Sequence, residues 1–232
     1  MQSQDYKKRL KLQIIIILSI AVMSCGVPNV PTALSSLLER ESIRVGTVYG
    51  AGTFYNGAEG PQGFEYELLA GFADYLGVTL DLYPFYSYEV MLEQLEEGNL
   101  DIVATGDAVT PALKRRFAYG PAYQRVEQEL VFQAGATRPR DLAELDSPII
   151  AVAGSSQAHL LSNLFKRLSE EEDEAVQTQL ITTEDSDSEE LLQQVANGDI
   201  AYTVADSNRL ALQRRRYPNL AVARTLNENM PM

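Results

Sequence analysis

"LLQQVANGDIAYTVAD", residues 191–206, runs from a helical stretch through a glycine into an apolar strand that ends on an acid. The same order stands earlier in "LEEGNLDIVATG", residues 95–106, with Asp107 following. Gly98 and Gly198 hold equivalent places, where a glycine that accepts a left-handed backbone ends a helix. Asp107 and Asp206 finish the two strands. Two similar α/β lobes are the natural inference, although any two βαβ units share part of this order.

The flanking segments extend the pattern. "SIRVGTVYG" (42–50) alternates Ile43, Val45 and Thr47 and ends at glycine, which predicts a strand. After the glycine-rich turn 51–63, Phe64, Leu68, Phe72 and Leu76 recur at four-residue intervals and predict an amphipathic helix over 64–76, stopped by Gly77. "VTLDLYPF" (78–85) reads as a strand and Ser87 as the N-cap of a helix over 88–97. "QELVFQAG" (128–135) is a strand leading out of the first half. "PIIAVAGSS" (148–156) opens the second half, followed by a helix over 157–168. Alternating strands and helices favour a mainly parallel sheet with helices on its faces.

The N-terminus differs in kind. Lys7, Lys8, Arg9 and Lys11 precede the apolar run "IIIILSIAVM" and then Ser24, Cys25 and Gly26, the layout of an export signal. That run is about half the roughly 20 residues of a spanning helix, and a short tilted anchor is the alternative. Cys25 is the single cysteine, so no intrachain disulfide forms. "VPNVPTALSS" (27–36) reads as a linker.

The whole chain carries a net charge of −13. Cleavage before Cys25 would remove four cations and one anion, leaving 15 Lys+Arg against 31 Asp+Glu. So acidic a surface argues against nucleic acid as a partner. An anionic ligand then needs a local cationic or amide-lined site. The acidic runs at 170–174 and 184–190 lack the glycine spacing of a calcium loop and read as a solvated rim. Neither a metal-ligand pair, a cofactor motif nor a GxSxG nucleophile appears, and His159 is the only histidine.

In open α/β sheets, ligands settle beyond the carboxyl ends of the strands. The candidates there are Tyr55, Gly106, Asp107, Thr110, Gly154, Ser155, Ser156 and Asp206. Ser155 or Ser156 serves equally as a helix N-cap, Asp206 as the cap of "SNRLALQRRR" (207–216), and Tyr55 as a surface aromatic. Lys114, Arg115 and Arg116 follow the first-lobe strand end and read, on charge alone, as a surface turn.

"GFEYELLAGFADYLGVTLDL" (63–82), "LEEGNLDIVATG", "YGPAY" (119–123), "QELVFQAG", "RPRDLAEL" (138–145) and "AYTVADS" (201–207) together resemble the binding domain of membrane-bound lytic murein transglycosylases of type F, a domain of the family 3 solute-binding kind. The resemblance spans about residues 37–226. It implies a two-lobe periplasmic-binding-protein-like fold of type II, with lobe 1 over 37–131 and lobe 2 over 132–226. A truncated return crossing over 227–232 would leave the first lobe incomplete. It also implies a small zwitterionic or peptide-like ligand, with Tyr55 as the cleft aromatic and Gly106 and Thr110 in the first-lobe loop. Ser155 and Ser156 would form the second-lobe helix N-terminus, and Asp206 would pair with an α-amino group. The family arginine three residues after Thr110 is Leu113 here, so Arg115 is the expected substitute for gripping a carboxylate. "VMSC" (22–25) resembles a lipobox, which implies acylation of Cys25 and a membrane tether, the outer membrane being favoured. Peptidoglycan enters as a partner through the family context. The catalytic domain of that parent family has no counterpart in these residues, so no catalytic residue is expected in this chain.

Overall fold

The computed structural model describes residues 33–140, 142, 145–171 and 178–232. The export segment with Cys25, most of the linker and much of the acidic run at 170–174 lie outside the described residues. Helix α1 (Ala33–Arg40) belongs to a first compact unit. It begins at Ala33, inside the span read as linker, so regular structure starts before Leu37.

Residues 41–232 form the second unit, which holds both lobes. In the first lobe, β1 (Ser42–Val48) lies between β4 (Thr79–Phe85) and β5 (Ile102–Ala104), parallel to both. A small hairpin, β2 (Tyr55–Gly57) with β3 (Gly60–Gln62), precedes α2 (Phe64–Leu76). The row that signals α2 in the sequence is its exposed one: Phe64, Leu68 and Phe72 are exposed, while Glu65, Leu69 and Ala73 are buried. Periodicity identifies a helix without saying which of two apolar rows meets the sheet, and here the smaller row does. Helix α3 (Tyr88–Glu96) starts at Ser87, whose hydroxyl accepts from the Val90 N–H, and it buries Met91.

The second lobe contains β6 (Arg125–Gln133), β7 (Ile149–Val152), α5 (Ser156–Glu171), β8 (Leu180–Thr183), α6 (Ser188–Asn197), β9 (Tyr202–Asp206), α7 (Ser207–Gln213) and β10 (Leu220–Pro231). Its sheet has the order β10-β6-β9-β7-β8. Strands β7, β8 and β9 are parallel, and β6 runs antiparallel to both of its neighbours. Leu130 and Phe132 enter one core with Ile149, Leu161 and Tyr202. Val131, on the opposite face of the same strand, enters another with Leu192, Val195 and Leu210. A strand buried on both faces is what the unbroken apolar run in "ELVF" requires.

Helix α6 is held by a capping box: Asp187 Oδ1 accepts from the Glu189 and Glu190 N–H groups, each at 2.8 Å, and the Asp187 N–H donates back to the Glu190 side chain. Asp187→Ala is expected to cost about 1 kcal/mol, read as a lowered urea midpoint with an unchanged slope.

β6 and β10 pair along their whole length, from Arg125↔Pro231 to Gln133↔Leu220. The return crossing therefore occupies 220–231 and does not begin at 227. It reaches the first-lobe loop, where the Val109 N–H donates to the Pro231 carbonyl at 2.8 Å. Ala108, Val126 and Met232 close a small core there. The first-lobe sheet holds three strands against five in the second.

Candidate functional site

The lobes touch. A Cβ added at Gly154, in the turn after β7, would stand 3.0 Å from the Cβ of Tyr88 at the start of α3, a tight contact at a residue whose φ of +73° also favours glycine. Val48, Tyr88, Met91 and Leu100 of the first lobe share one apolar cluster with Val152 and Leu191 of the second. Nearby, the Ala51 N–H donates to Glu189 on α6.

At the centre is Arg209, in the first turn of α7. Its Nη2 donates to the carbonyls of Thr105 and, at 3.3 Å, Gly106, and to Asp107 Oδ1 at 3.0 Å. All three acceptors lie in the loop after β5. The bridge thus joins the lobes through side chains that are 7% and 8% exposed. Burial works against the charge of Arg209, yet Asp107, Tyr88, Asp206 and Glu189 together hold its pKa above the ordinary value. Burial raises the Asp107 carboxyl, opposed by Arg209 and by the Tyr88 hydroxyl, and it raises the Tyr88 phenol well above its usual range.

Asp206, at the end of β9, is fully buried, and neither of its oxygens has a hydrogen-bond partner. Its carboxyl is pushed up to about 6, by burial first and by Asp107 second, with Arg209 opposing. The amides of Gln128 and Gln157 lie near enough to lower it, but neither makes a bond of acceptable geometry to it. Gln128 Nε2 instead donates to Ser156 Oγ at 3.1 Å.

Two cavities flank Arg209, which lines both. The smaller, about 150 Å³, is bounded by Tyr49, Tyr86 and Tyr88 on one side and by Glu184–Ser188 on the other. The larger, about 540 Å³, is lined by Thr53, Phe64, Glu65 and Gly106 of the first lobe, with Leu212 and Met232 opposite. Glu65 accepts a hydrogen bond from the Tyr123 hydroxyl. Burial raises the Glu65 carboxyl, while Tyr123 and Arg209 pull it back.

Of the residues singled out in the sequence, Gly106 lines the larger cavity, and Asp107 and Asp206 lie against Arg209. Ser155 is a helix cap, its Oγ accepting from the Ala158 N–H at 3.2 Å. Thr110 caps the short helix α4 (Pro111–Lys114) through the Leu113 N–H at 3.3 Å. Asp206 occupies the N-cap position of α7 without a side-chain cap bond. Tyr55 is 39% exposed, donates to Gln62 Oε1 at 2.8 Å, and lines neither cavity. Arg115 is exposed at the end of α4 and also lines neither, while Arg116 pairs with exposed Glu96 at 2.9 Å. The cationic triplet is a solvated turn. The acidic run at 184–190, read as solvated rim, walls the smaller cavity instead.

Arg209 and Glu65 escaped the sequence reading. A usable signal existed for Arg209, since it follows Asp206 by three positions and residues so spaced share a helix face. Nothing marks Glu65 apart from the other carboxylates.

Two α/β lobes joined by two antiparallel crossing strands, closing on charged side chains at the carboxyl ends of parallel strands, define a periplasmic-type binding protein of type II. Residues 43–215 match the bacterial extracellular solute-binding proteins, family 3, and the chain belongs to that family. It is 37% identical over 222 residues to the membrane-bound lytic murein transglycosylase F of Pseudoalteromonas translucida, covering 96% of this chain and 46% of that protein. Its identity to the protein of the same name from Aeromonas salmonicida is 37% over 219 residues, covering 94% and 43%. The chain thus spans under half the length of these relatives. Among solved structures, the fold resembles an ancestral amino-acid-binding protein, a precursor of cyclohexadienyl dehydratase (TM-score 0.70, 20% identity, 86% and 84% covered). It also resembles the truncated arginine-bound ArgBP of T. maritima (TM-score 0.69, 16% identity, 85% and 88% covered).

Proposed function

We propose that this chain is an exported, membrane-tethered module that binds a small zwitterionic or peptide-like solute between its lobes. In a longer protein of the murein transglycosylase F kind, that binding would regulate cleavage of the glycan. The observation that carries the reading is the interlobe gap itself: cavities of 150 and 540 Å³ separated by a buried, hydrogen-bonded arginine and bordered by acids. The larger falls in the range of about 300–1,000 Å³ usual for small-molecule sites. The family match supports solute binding, and one structural neighbour is an amino-acid-binding protein by name. Acylation of Cys25 and placement on the periplasmic side of the outer membrane belong to the same proposal, supported by the lipobox-like "VMSC".

Calorimetric titration of the chain with amino acids, short peptides and muropeptides tests this reading; heat of binding from at least one of these classes is expected, and silence from all of them would reject it. These 232 residues are also expected to release no soluble muropeptide from murein sacculi, since residues 43–215 match the solute-binding family and the chain covers only 46% of its transglycosylase relative. Measurable turnover would replace the binding reading with an enzymatic one.

A further inference from the structure

Where the lobes meet, three ionisable groups leave water together: Asp107 of the first lobe, Asp206 of the second and Arg209 between them, none more than 8% exposed. Two acids share one base. With all three ionised the cluster keeps an uncompensated negative charge away from water, and a proton on either acid makes it neutral. Arg209 spends Nη2 on the first lobe, at Asp107 and at the carbonyls of Thr105 and Gly106. Asp206, three residues earlier in the same segment, receives no hydrogen bond on either oxygen.

The other neighbours of Asp206 do not offset its charge. Strand β6 presents the Gln128 amide and α5 the Gln157 amide, both neutral, and Ser156 is taken up by Gln128. Helix α3 presents Tyr88, a phenol that burial keeps protonated. Helix α6 contributes Glu189, a further acid, which acts on Arg209. Glu65 and Tyr123 of the first lobe lie within electrostatic reach of Arg209 and Asp107. Among the described residues, Arg209 is the one cation acting on Asp206.

Both influences that hold a proton on Asp206, burial first and Asp107 second, are products of the contact between lobes. Parting the lobes carries Asp107 and Tyr88 away and lets water reach the end of β9, which returns the carboxyl toward ordinary acidity. We infer that lobe closure is linked to a proton: its uptake by the Asp107–Asp206 pair locks the second lobe onto the first, and its release works against the Arg209 bridge. This goes beyond the solute-binding reading, because it requires no solute. The protonated cluster leaves Asp107 as the undivided partner of Arg209, whereas the ionised one sets two carboxylates against each other across the lobe boundary. The closed form binds the proton more tightly than the open form, so acid favours closure. That advantage declines as pH rises from about 4 to about 6 and is absent above.

The test follows the full chain, without added solute, by single-molecule fluorescence. The chain carries Cys25→Ser, with dyes attached at Tyr75→Cys on α2 and Gln193→Cys on α6, both exposed positions. The ratio of closed to open molecules is expected to fall about tenfold from pH 5 to pH 7.5. Asp206→Asn should abolish that dependence and keep the chain as closed at pH 7.5 as at pH 5. Glu65→Gln should retain the parent profile. A thermal melt separates altered closure from lost fold. A ratio that stays flat or rises with pH in the parent overturns the inference, whether or not Asp206→Asn folds. A profile that survives Asp206→Asn, or disappears with Glu65→Gln alone, overturns it as well. Each of these outcomes leaves solute binding standing, since no solute is present.

Discussion

Replacing Arg209 with methionine is expected to destabilise residues 41–232 by about 3–5 kcal/mol, a loss set by the burial of the pair that the substitution breaks. Arg209 is 7% and Asp107 8% exposed, with 3.0 Å between their charged groups. Removal of the cation leaves the Asp107 carboxylate without its charge partner and the carbonyls of Thr105 and Gly106 without their donor. An orphaned buried charge costs more than the intact pair contributes, so the double variant Arg209→Met with Asp107→Leu should recover most of the loss. Urea unfolding of the two single variants and the double variant completes the cycle. Additive losses would show that the bridge is not a coupled unit. Arg209→Met should also loosen closure, because Arg209 is the side chain by which α7 holds the first-lobe loop.

The second large effect has the opposite sign. Asp206→Asn is expected to stabilise the fold by about 3 kcal/mol at pH 7 and by almost nothing near pH 4. The Asp206 carboxyl is raised to about 6 in the folded chain, from the 3.8 of an ordinary aspartate, so the fold binds its proton more tightly than the unfolded chain does. That contribution is present at low pH, declines as pH rises through the interval from about 4 to about 6, and is absent above it. Its causes are burial at the end of β9 and Asp107 across the lobe boundary, with Arg209 and the Gln128 and Gln157 amides opposing. Tyr88, whose phenol is raised by burial first and by Asp107 and Asp206 after it, completes the set. An asparagine removes the charge at constant shape and sets a neutral neighbour beside Gln128 Oε1 and the Gln157 amide, which lack partners. For a unit of this size, about 3 kcal/mol amounts to a rise in melting temperature of roughly 6–12 °C at pH 7. A gain that persisted equally at pH 4 would locate the effect in packing and not in titration.

The lobes and their strands were legible because each rests on local rules. Gly98 and Gly198 both adopt left-handed backbones after helices, as a helix end demands. Ser87 caps α3, and β1, β4, β6, β7 and β9 lie where alternating or unbroken apolar runs place them. The site was legible only in part. Gly106, Asp107 and Asp206 stand at strand ends, where sheets of this kind put their chemistry, and all three gather around Arg209. Tyr55 and Arg115 were chosen by family position and charge, and both face solvent. Neither property measures direction. A hairpin twist carries Tyr55 to Gln62, and a single turn of α4 carries Arg115 outward.

What the chain determined by itself is its grammar: strand, helix and glycine stops follow from the conformational preferences of neighbouring residues. Tertiary structure alone decided that α2 presents Leu68 and Phe72 to the outside and Phe64 to the larger cavity, and that Arg209 crosses between lobes to meet Asp107. The physical reason is range. Helix capping and period-two burial act within a few residues, whereas the charge state of Asp206 and the convergence of Glu65 and Arg209 on Gly106 depend on groups distant in sequence. Only the closing of one lobe on the other brings these groups out of water together.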